Sequence, residues 1–211
     1  MLAPAADPAP LGLAGFALTT FLLSAANAHW MTKATGAAFL GYAFAYGGLA
    51  QFAAGMWEFR NRNVFGATAF GSYGSFWMGL GLWFLLVAPP PAGAGPAVVA
   101  AHTAATGKDL GWILLAWAIF NTYMLLWSTQ VNAAVFGVFL TLELTEIFLF
   151  IGNFAASTSL IKVGGYIGLL TALVAWYASA AGVINGMRGS ALVPVGKPFG
   201  MAPAESAAAR V

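Results

Sequence analysis

Two acidic residues stand out in the sequence because they lie deep inside an apolar run. Glu143 and Glu146 occur in the segment TLELTEIF, whereas the other charged residues lie near or beyond the ends of such runs. The two side chains are three residues apart, so they share one face of a helix, and ionising both is unfavourable. A carboxylate inside a membrane is costly to keep. The pair therefore predicts either a proton-coupling site that carries charge with a substrate or a hydrogen-bonded pair that holds helices together.

Hydroxyl and amide groups form a second set of polar side chains inside apolar runs. A polar group that faces lipid without a partner is costly, so these side chains are expected to face the protein interior or a wet cavity. Taken singly, each is more often a structural group that bonds within or across helices. Together they are too many for a bundle that faces only lipid. The residues expected to contact a bound solute are Thr19, Thr20, Gln51, Ser72 and Asn153.

The segment FGATAFGSYGSFW, from Phe65 to Trp77, combines small residues, hydroxyls and one large polar ring. It lies in the uncharged run from Val64 to Ala88, which is long enough to cross a bilayer core of about 30 Å. Small residues recur at every fourth position and form a shallow stripe where another helix can approach closely. Tyr73 has a ring large enough to close a narrow passage and a hydroxyl that can meet a polar species.

These groups must be held by helices that cross a membrane, because the composition is that of an integral membrane protein. Hydrophobic residues make up 61% of the chain and charged residues 7%, and the mean hydropathy is +0.83. An ordinary soluble domain has about 25% charged residues. The net charge of +2 is too small to indicate a nucleic-acid partner. The absence of cysteine excludes disulfides and cysteine-ligated metal.

Six uncharged or nearly uncharged runs follow one another along the chain. Six membrane spans place both termini on the same side, and an excess of Lys and Arg on that side predicts that the termini are cytoplasmic. We therefore predict an all-α integral membrane protein with six transmembrane helices. The runs are Leu11 to Trp30, Thr35 to Trp57, Val64 to Ala88, Leu110 to Trp127, Ala133 to Ala156 and Val163 to Met187.

The rest of the chain divides into short connections and two end segments. Residues 1–10 are expected to form an N-terminal segment, residues 11–187 the six-helix domain, and residues 188–211 a flexible tail. Only the connection from Pro89 to Asp109 is long, and its Pro, Ala and Gly content predicts a flexible surface loop.

Enzyme signatures are missing from the sequence. Neither His29 nor His102 has a second histidine or a carboxylate at metal-ligand spacing, and no nucleophile stands beside a base. A phosphate-binding loop of the form GxxxxGKS or GxxxxGKT does not occur. We therefore expect no enzyme activity, no metal and no cofactor. Passive flow of a solute and proton-linked movement both remain open.

The motifs resemble those of the acetate uptake transporter family. DPAPLGL, directly before the first run, is similar to the family signature NPAPLGL, and YGGLAQ, AGMWE, FGATAFGSYGSFW and IGN resemble family segments in the same order and at similar spacing. The resemblance extends from Asp7 to Met187. The signature residues are Asp7, Pro8, Ala9, Pro10, Leu11, Gly12 and Leu13.

The resemblance implies six-helix protomers that form a homohexamer in the cytoplasmic (plasma) membrane. Each protomer would carry its own path for acetate and related small monocarboxylates, and for succinate in some members. It also implies a narrow hydrophobic constriction made of a Phe, a Tyr and a Leu. Matching the motifs places these residues at Phe16, Tyr73 and Leu142.

Two features depart from the family pattern. Asp7 replaces the Asn of the signature and adds a negative charge at the expected cytoplasmic entrance. Glu143 and Glu146 occupy positions expected to be apolar or hydroxyl-bearing, which leaves the coupling mechanism open. Two alternatives to acetate transport also remain: a membrane scaffold or sensor that transports nothing, and a channel for a neutral solute or ammonium.

Overall fold

The computed structural model describes residues 6–32 and 37–200, and helices account for most of them. Residues 1–5 of the expected N-terminal segment and residues 201–211 of the expected tail lie outside the described part. The predicted all-α fold is confirmed. The helices are α1 (Ala9–Asn27), α2 (Phe39–Phe44), a π-helical segment (Ala45–Ala50), α3 (Gln51–Arg60), α4 (Val64–Leu86), α5 (Pro96–Ser128), α6 (Ala133–Phe154) and α7 (Thr158–Arg188).

Within the described residues, four helices are long and apolar enough to cross a membrane, namely α1, α5, α6 and α7. The other two predicted runs differ from this pattern. The second run is divided into α2, the π-helical segment and α3. The third run forms α4, a continuous helix of 23 residues whose Gly, Ser and Thr side chains lower its hydropathy. At 1.5 Å per residue, α4 is about 34 Å long, which is enough to cross the bilayer core.

The helices form a closed ring around the interior of the protein. α1 packs against α7, the π-helical segment and α3, while α7 packs against α6 and α6 against α5. α3 packs along α4, and α4 closes the ring by touching α5 at a few positions. Side-chain hydrogen bonds reinforce two of these contacts: the Ser179 hydroxyl donates to the Pro10 carbonyl at 2.7 Å, and the hydroxyls of Thr145 and Thr171 lie 3.2 Å apart.

Glycines permit the closest helix contacts in this ring. A Cβ atom added to Gly165 of α7 would lie 2.7 Å from the carbonyl carbon of Asn27 and 2.9 Å from the carbonyl oxygen of Ser24, both in α1. A Cβ atom at Gly55 of α3 would lie 3.0 Å from the Cα atom of Gly71 in α4. Backbone atoms meet at these points, as is typical of small residues between membrane helices.

The long connection contains less loop than its composition predicts. We expected a flexible loop from Pro89 to Asp109, but α5 already begins at Pro96. That prediction is wrong for most of the segment. Proline suits the first turn of a helix, and the alanines that follow have the strongest intrinsic helix propensity. The composition of the segment predicts a loop throughout, whereas only Pro89 to Gly95 lies outside a helix.

The first part of the expected tail contacts the helices. The Asn185 side chain binds the backbone of Leu192 and Val193, with distances of 2.8 and 2.9 Å. Farther along, the backbone amides of Phe199 and Gly200 donate to the Thr129 carbonyl. These contacts hold residues 190–200 against the ends of α5 and α7, and the flexibility expected of residues 188–211 stays a prediction.

We expect Gly165→Ala to lower the stability of the folded protein by about 2 kcal/mol, because the added methyl group overpacks the backbone contact with α1. Gly186→Ala on the same helix provides a matched control, since nothing lies within 4 Å of its Cβ position. Thermal unfolding in detergent would measure the effect. Equal unfolding temperatures for the two variants would contradict the proposed close contact.

Candidate functional site

Two cavities lie in series inside the ring of helices. Cavity A has a volume of about 80 Å³ and lies at the end of the bundle where α1 begins. Cavity B has a volume of about 40 Å³ and lies farther along α1, toward Asn27. Within residues 6–32 and 37–200, only three of the residues that line cavity A also line cavity B, namely Phe16, Tyr73 and Leu142. The structure thus brings the three predicted constriction residues together at the boundary between the cavities.

The boundary between the cavities is apolar and closely packed. Phe16, Tyr73 and Leu142 expose 5%, 3% and 7% of their surfaces, respectively. The rings of Phe16 and Tyr73 meet edge to face, with centroids 5.7 Å apart. On its other sides the Tyr73 ring packs against Trp117 and Phe120, with centroid distances of 5.4 and 5.5 Å. Such aromatic contacts favour a defined ring orientation and leave little room for water.

The Tyr73 hydroxyl is directed into a hydrogen-bond network. It donates to Asn121 Oδ1 at 2.8 Å, and Asn121 Nδ2 donates to the Phe139 carbonyl at 3.0 Å and to Glu143 Oε2 at 2.7 Å. The Thr122 hydroxyl donates to Glu143 Oε1 at 2.9 Å. Since Asn121 is fully buried, this network ties α4, α5 and α6 together. The hydroxyl, which we expected to meet a polar solute, already has a partner.

The two acidic residues of α6 have different surroundings. Both carboxylate oxygens of Glu143 accept hydrogen bonds from α5, and the side chain is only partly buried. Glu146 is 3% exposed and lines cavity B, where its Oε2 atom has no hydrogen-bond partner. The structure therefore places one carboxyl group in a structural network and the other at a cavity wall.

Unpaired polar atoms are confined to the cavity walls. Within residues 6–32 and 37–200, five buried side-chain nitrogen or oxygen atoms have no hydrogen-bond partner, and all belong to residues that line cavity A or B. Buried polar groups normally have partners, so such atoms indicate contact with water or a ligand. The atoms are Gln51 Oε1 and Glu58 Oε1 at cavity A, and Thr20 Oγ1, Trp77 Nε1 and Glu146 Oε2 at cavity B.

Two of the five predicted solute-binding residues reach the cavities: Gln51 lines cavity A, and Thr20 lines cavity B. The Thr19 hydroxyl donates to the Gly15 carbonyl at 3.0 Å, and Asn153 Nδ2 donates to the Leu149 carbonyl at 2.8 Å. Neither of these residues lines cavity A or B.

Ser72 lies in a different place. It lines an open groove of about 430 Å³ on the outer side of α3 and α4, together with Met56 and Trp117. Its side chain is therefore separated from the two cavities by α4 itself.

Glu58 lines cavity A, and only 1% of its surface is exposed. Burial raises the pKa of the Glu58 carboxyl above its ordinary value of 4.5, a hydrogen bond from the Asn63 side chain lowers it, and the negative charge of Asp7 raises it. Asp7 itself accepts a hydrogen bond from the Ala9 amide at 2.9 Å, which satisfies a free donor at the start of α1.

A comparison with protein-family models matches residues 3–197 to the GPR1/FUN34/yaaH family. The chain belongs to this family. The resemblance drawn from the sequence motifs is therefore confirmed. Acetate permease A of Emericella nidulans is 39% identical over 202 residues, which cover 90% of this chain and 65% of the relative. Ammonia transport outward protein 2 of Saccharomyces cerevisiae is 38% identical over 187 residues, which cover 86% of this chain and 64% of the relative.

Bacterial members of the GPR1/FUN34/yaaH family match over nearly their whole length. The succinate-acetate/proton symporter SatP of Escherichia coli is 35% identical over 192 residues, which cover 91% of this chain and 96% of the relative. The solved structure of the bacterial acetate channel SatP superposes with a TM-score of 0.79 and 33% identity, covering 93% of this chain and all of that one. The chain spans about two thirds of the length of the two fungal relatives.

Three residues of this GPR1/FUN34/yaaH family member were not assigned to the site from the sequence. The sequence places Glu58 in a charged connection, Trp77 in an apolar run, and Asn121 among several amides that are typical of helix packing. A signal was available for Glu58, because it follows Gln51 by seven residues and the two side chains share a helix face. No sequence signal identifies Trp77 or Asn121 as neighbours of the two cavities.

We expect a coupling free energy of about 1 kcal/mol between the Tyr73 hydroxyl and Asn121, because removing either group leaves the other buried without its hydrogen-bond partner. A double-mutant cycle with Tyr73→Phe and Asn121→Ala, read from unfolding in detergent, measures this coupling. Tyr123→Phe gives a matched control, since that side chain is 45% exposed. A coupling energy within error of zero would show that the hydrogen bond does not hold the ring.

We expect Glu58 to make stability depend on pH. Its folded-state pKa is raised, so its contribution to stability is fully present below pH 4.5 and is lost as pH rises through the folded pKa. Glu58→Gln removes this dependence. The unfolding temperature of the wild-type protein should therefore fall relative to that of Glu58→Gln as pH rises from about 4 to about 8. Parallel curves would exclude a raised pKa.

Proposed function

We propose that this protein is a membrane transporter or channel for acetate and related small monocarboxylates. The observation that carries the proposal is the pair of cavities in series, whose shared wall consists of Phe16, Tyr73 and Leu142. The names of the relatives support it, since they include an acetate permease, a succinate-acetate/proton symporter and an acetate channel. We propose no catalytic role.

The chemistry of the shared wall favours a short acid with one apolar end. A methyl group can pass between the rings of Phe16 and Tyr73, while a second charge or a longer polar chain would lose solvation in the dry section. The carboxyl group needs polar partners on either side of that section. Thr20 in cavity B carries an unpaired hydroxyl, which can donate to a carboxylate, whereas the unpaired atom of Gln51 in cavity A is an amide oxygen, which can accept only from the protonated acid.

We further propose six membrane spans per protomer, cytoplasmic termini and assembly as a homohexamer in the plasma membrane. Six helical passes are counted when α2, the π-helical segment and α3 are taken as one interrupted span. The larger number of Lys and Arg residues near the termini and the connection after α3 favours a cytoplasmic location for that side. Cross-linking in native membranes would test the homohexamer. Protease access to a terminal tag would test the cytoplasmic location of the termini.

Ammonium is the second candidate substrate. Cavity A presents unpaired oxygen atoms of Gln51 and Glu58, which are acceptors suited to a cation, and one relative is named an ammonia transport protein. Labelled acetate uptake into liposomes that hold the purified protein decides between the candidates. Acetate transport predicts uptake above that of protein-free liposomes, with inhibition by excess unlabelled acetate and not by ammonium. Absence of any flux would favour a scaffold or sensor.

We expect Phe16→Ala and Tyr73→Ala to raise the uptake of a longer monocarboxylate relative to acetate by about tenfold, because each removes a ring from the narrowest section. Phe84→Ala serves as the control, since its ring packs on Phe39 and lines neither cavity. The uptake ratio of butyrate to acetate in liposomes is the measurement. If neither variant changes that ratio, these rings do not select the solute by size.

A further inference from the structure

Cavity B collects three unpaired polar atoms from three different helices. Thr20 lies on α1, Trp77 on α4 and Glu146 on α6, and these side chains expose 5%, 2% and 3% of their surfaces. Their Oγ1, Nε1 and Oε2 atoms have no partner within the described residues. Leaving one such atom unpaired costs about 1–3 kcal/mol, so three at a single cavity indicate that water or a ligand contacts them there.

The chemistry of these three groups defines the ligand. An indole nitrogen can only donate a hydrogen bond, and a threonine hydroxyl can donate one. Glu146 donates only when it is protonated, and in that state all three groups offer donors to the same small space. A carboxylate fits this arrangement, because its two oxygen atoms provide several acceptor positions and no donor. Among the described residues that line cavity B there is no Lys or Arg, so none of them provides a permanent countercharge there.

We propose that Glu146 of this chain, in its protonated form, binds the carboxylate of the substrate in cavity B together with Trp77 and Thr20. The inference rests on the proposed function and deepens it. Glu146 keeps its proton when the anion binds, or passes it to the anion, and the complex has the same charge in either case. An ionised Glu146 would instead place two negative charges at hydrogen-bond distance, which strongly disfavours binding.

The other titratable groups near Glu146 do not take this role. Tyr73 on α4 lines the same cavity, but its hydroxyl donates to Asn121. Glu143 lies one turn earlier on α6, and both of its oxygens accept hydrogen bonds from α5. α1 presents only uncharged side chains to the cavity, α5 presents Leu114, and the α7 residue Thr171 lies against Thr145 beside it. Glu143 is therefore a matched control for Glu146.

The dependence of acetate affinity on pH tests this assignment. Calorimetric titration of the full-length protein in detergent, from about pH 6 to pH 10, keeps acetate ionised throughout. For the wild-type protein and for Glu143→Gln we expect the Kd to rise about tenfold per pH unit once Glu146 ionises. For Glu146→Gln we expect a Kd that does not change with pH, because an amide can donate at every pH.

Each other outcome is informative. A wild-type Kd that is constant across the range, or a Glu146→Gln variant that keeps the wild-type profile, overturns the role of Glu146. If Glu146→Gln does not fold, Thr20→Val and Trp77→Phe test the remaining donors, and each should raise the Kd about tenfold. An unchanged Kd in both excludes cavity B as the carboxylate site. If the wild-type protein neither binds nor transports acetate at any pH, the proposed function itself fails.

Discussion

The hydrogen bond from the Tyr73 hydroxyl to Asn121 is the contact on which the geometry of the boundary between the two cavities depends. Asn121 is fully buried, and its three side-chain hydrogen bonds join α4, α5 and α6 at one point. No water in a bilayer core can replace a lost partner, so this network fixes the Tyr73 ring more firmly than packing alone. Glu143 completes the network from the outside, which gives an expensive intramembrane carboxylate a structural reason to be present.

Local properties of the sequence predicted much of the fold and part of the site. An apolar run that crosses the bilayer core favours a helix, because no water is available there and the backbone must satisfy its own hydrogen bonds. The family motifs then identified Phe16, Tyr73 and Leu142, which meet at the boundary between the two cavities. The order of the motifs along the chain is sufficient to predict this meeting, because each motif lies on a helix whose position in the bundle is fixed by the neighbouring helices.

The rotation of each helix about its axis could not be predicted from the sequence. Thr19 and Thr20 are adjacent, yet the first binds the backbone of α1 and the second faces cavity B. Neighbouring residues point about 100° apart on a helix, and α1 is apolar on nearly all sides, so no hydrophobic face indicates which one turns inward. For the same reason the sequence does not indicate that Trp77 lines cavity B. Ser72, which the sequence predicts to face the interior, lies in the outer groove.

The predicted constriction and cavity B would impose related demands on the acid that we propose as substrate. At the boundary the Tyr73 hydroxyl already has a partner, so a carboxylate there loses water without gaining a donor from that side chain. Beyond it, the donors of Thr20 and Trp77 meet a carboxyl group of the protein itself, Glu146, rather than a permanent cation. A bare anion is therefore disfavoured at both points, whereas an anion that shares a proton loses much less solvation free energy. If cavity B has the proposed role, the wall residues favour proton and carboxylate moving together over flow of the anion alone.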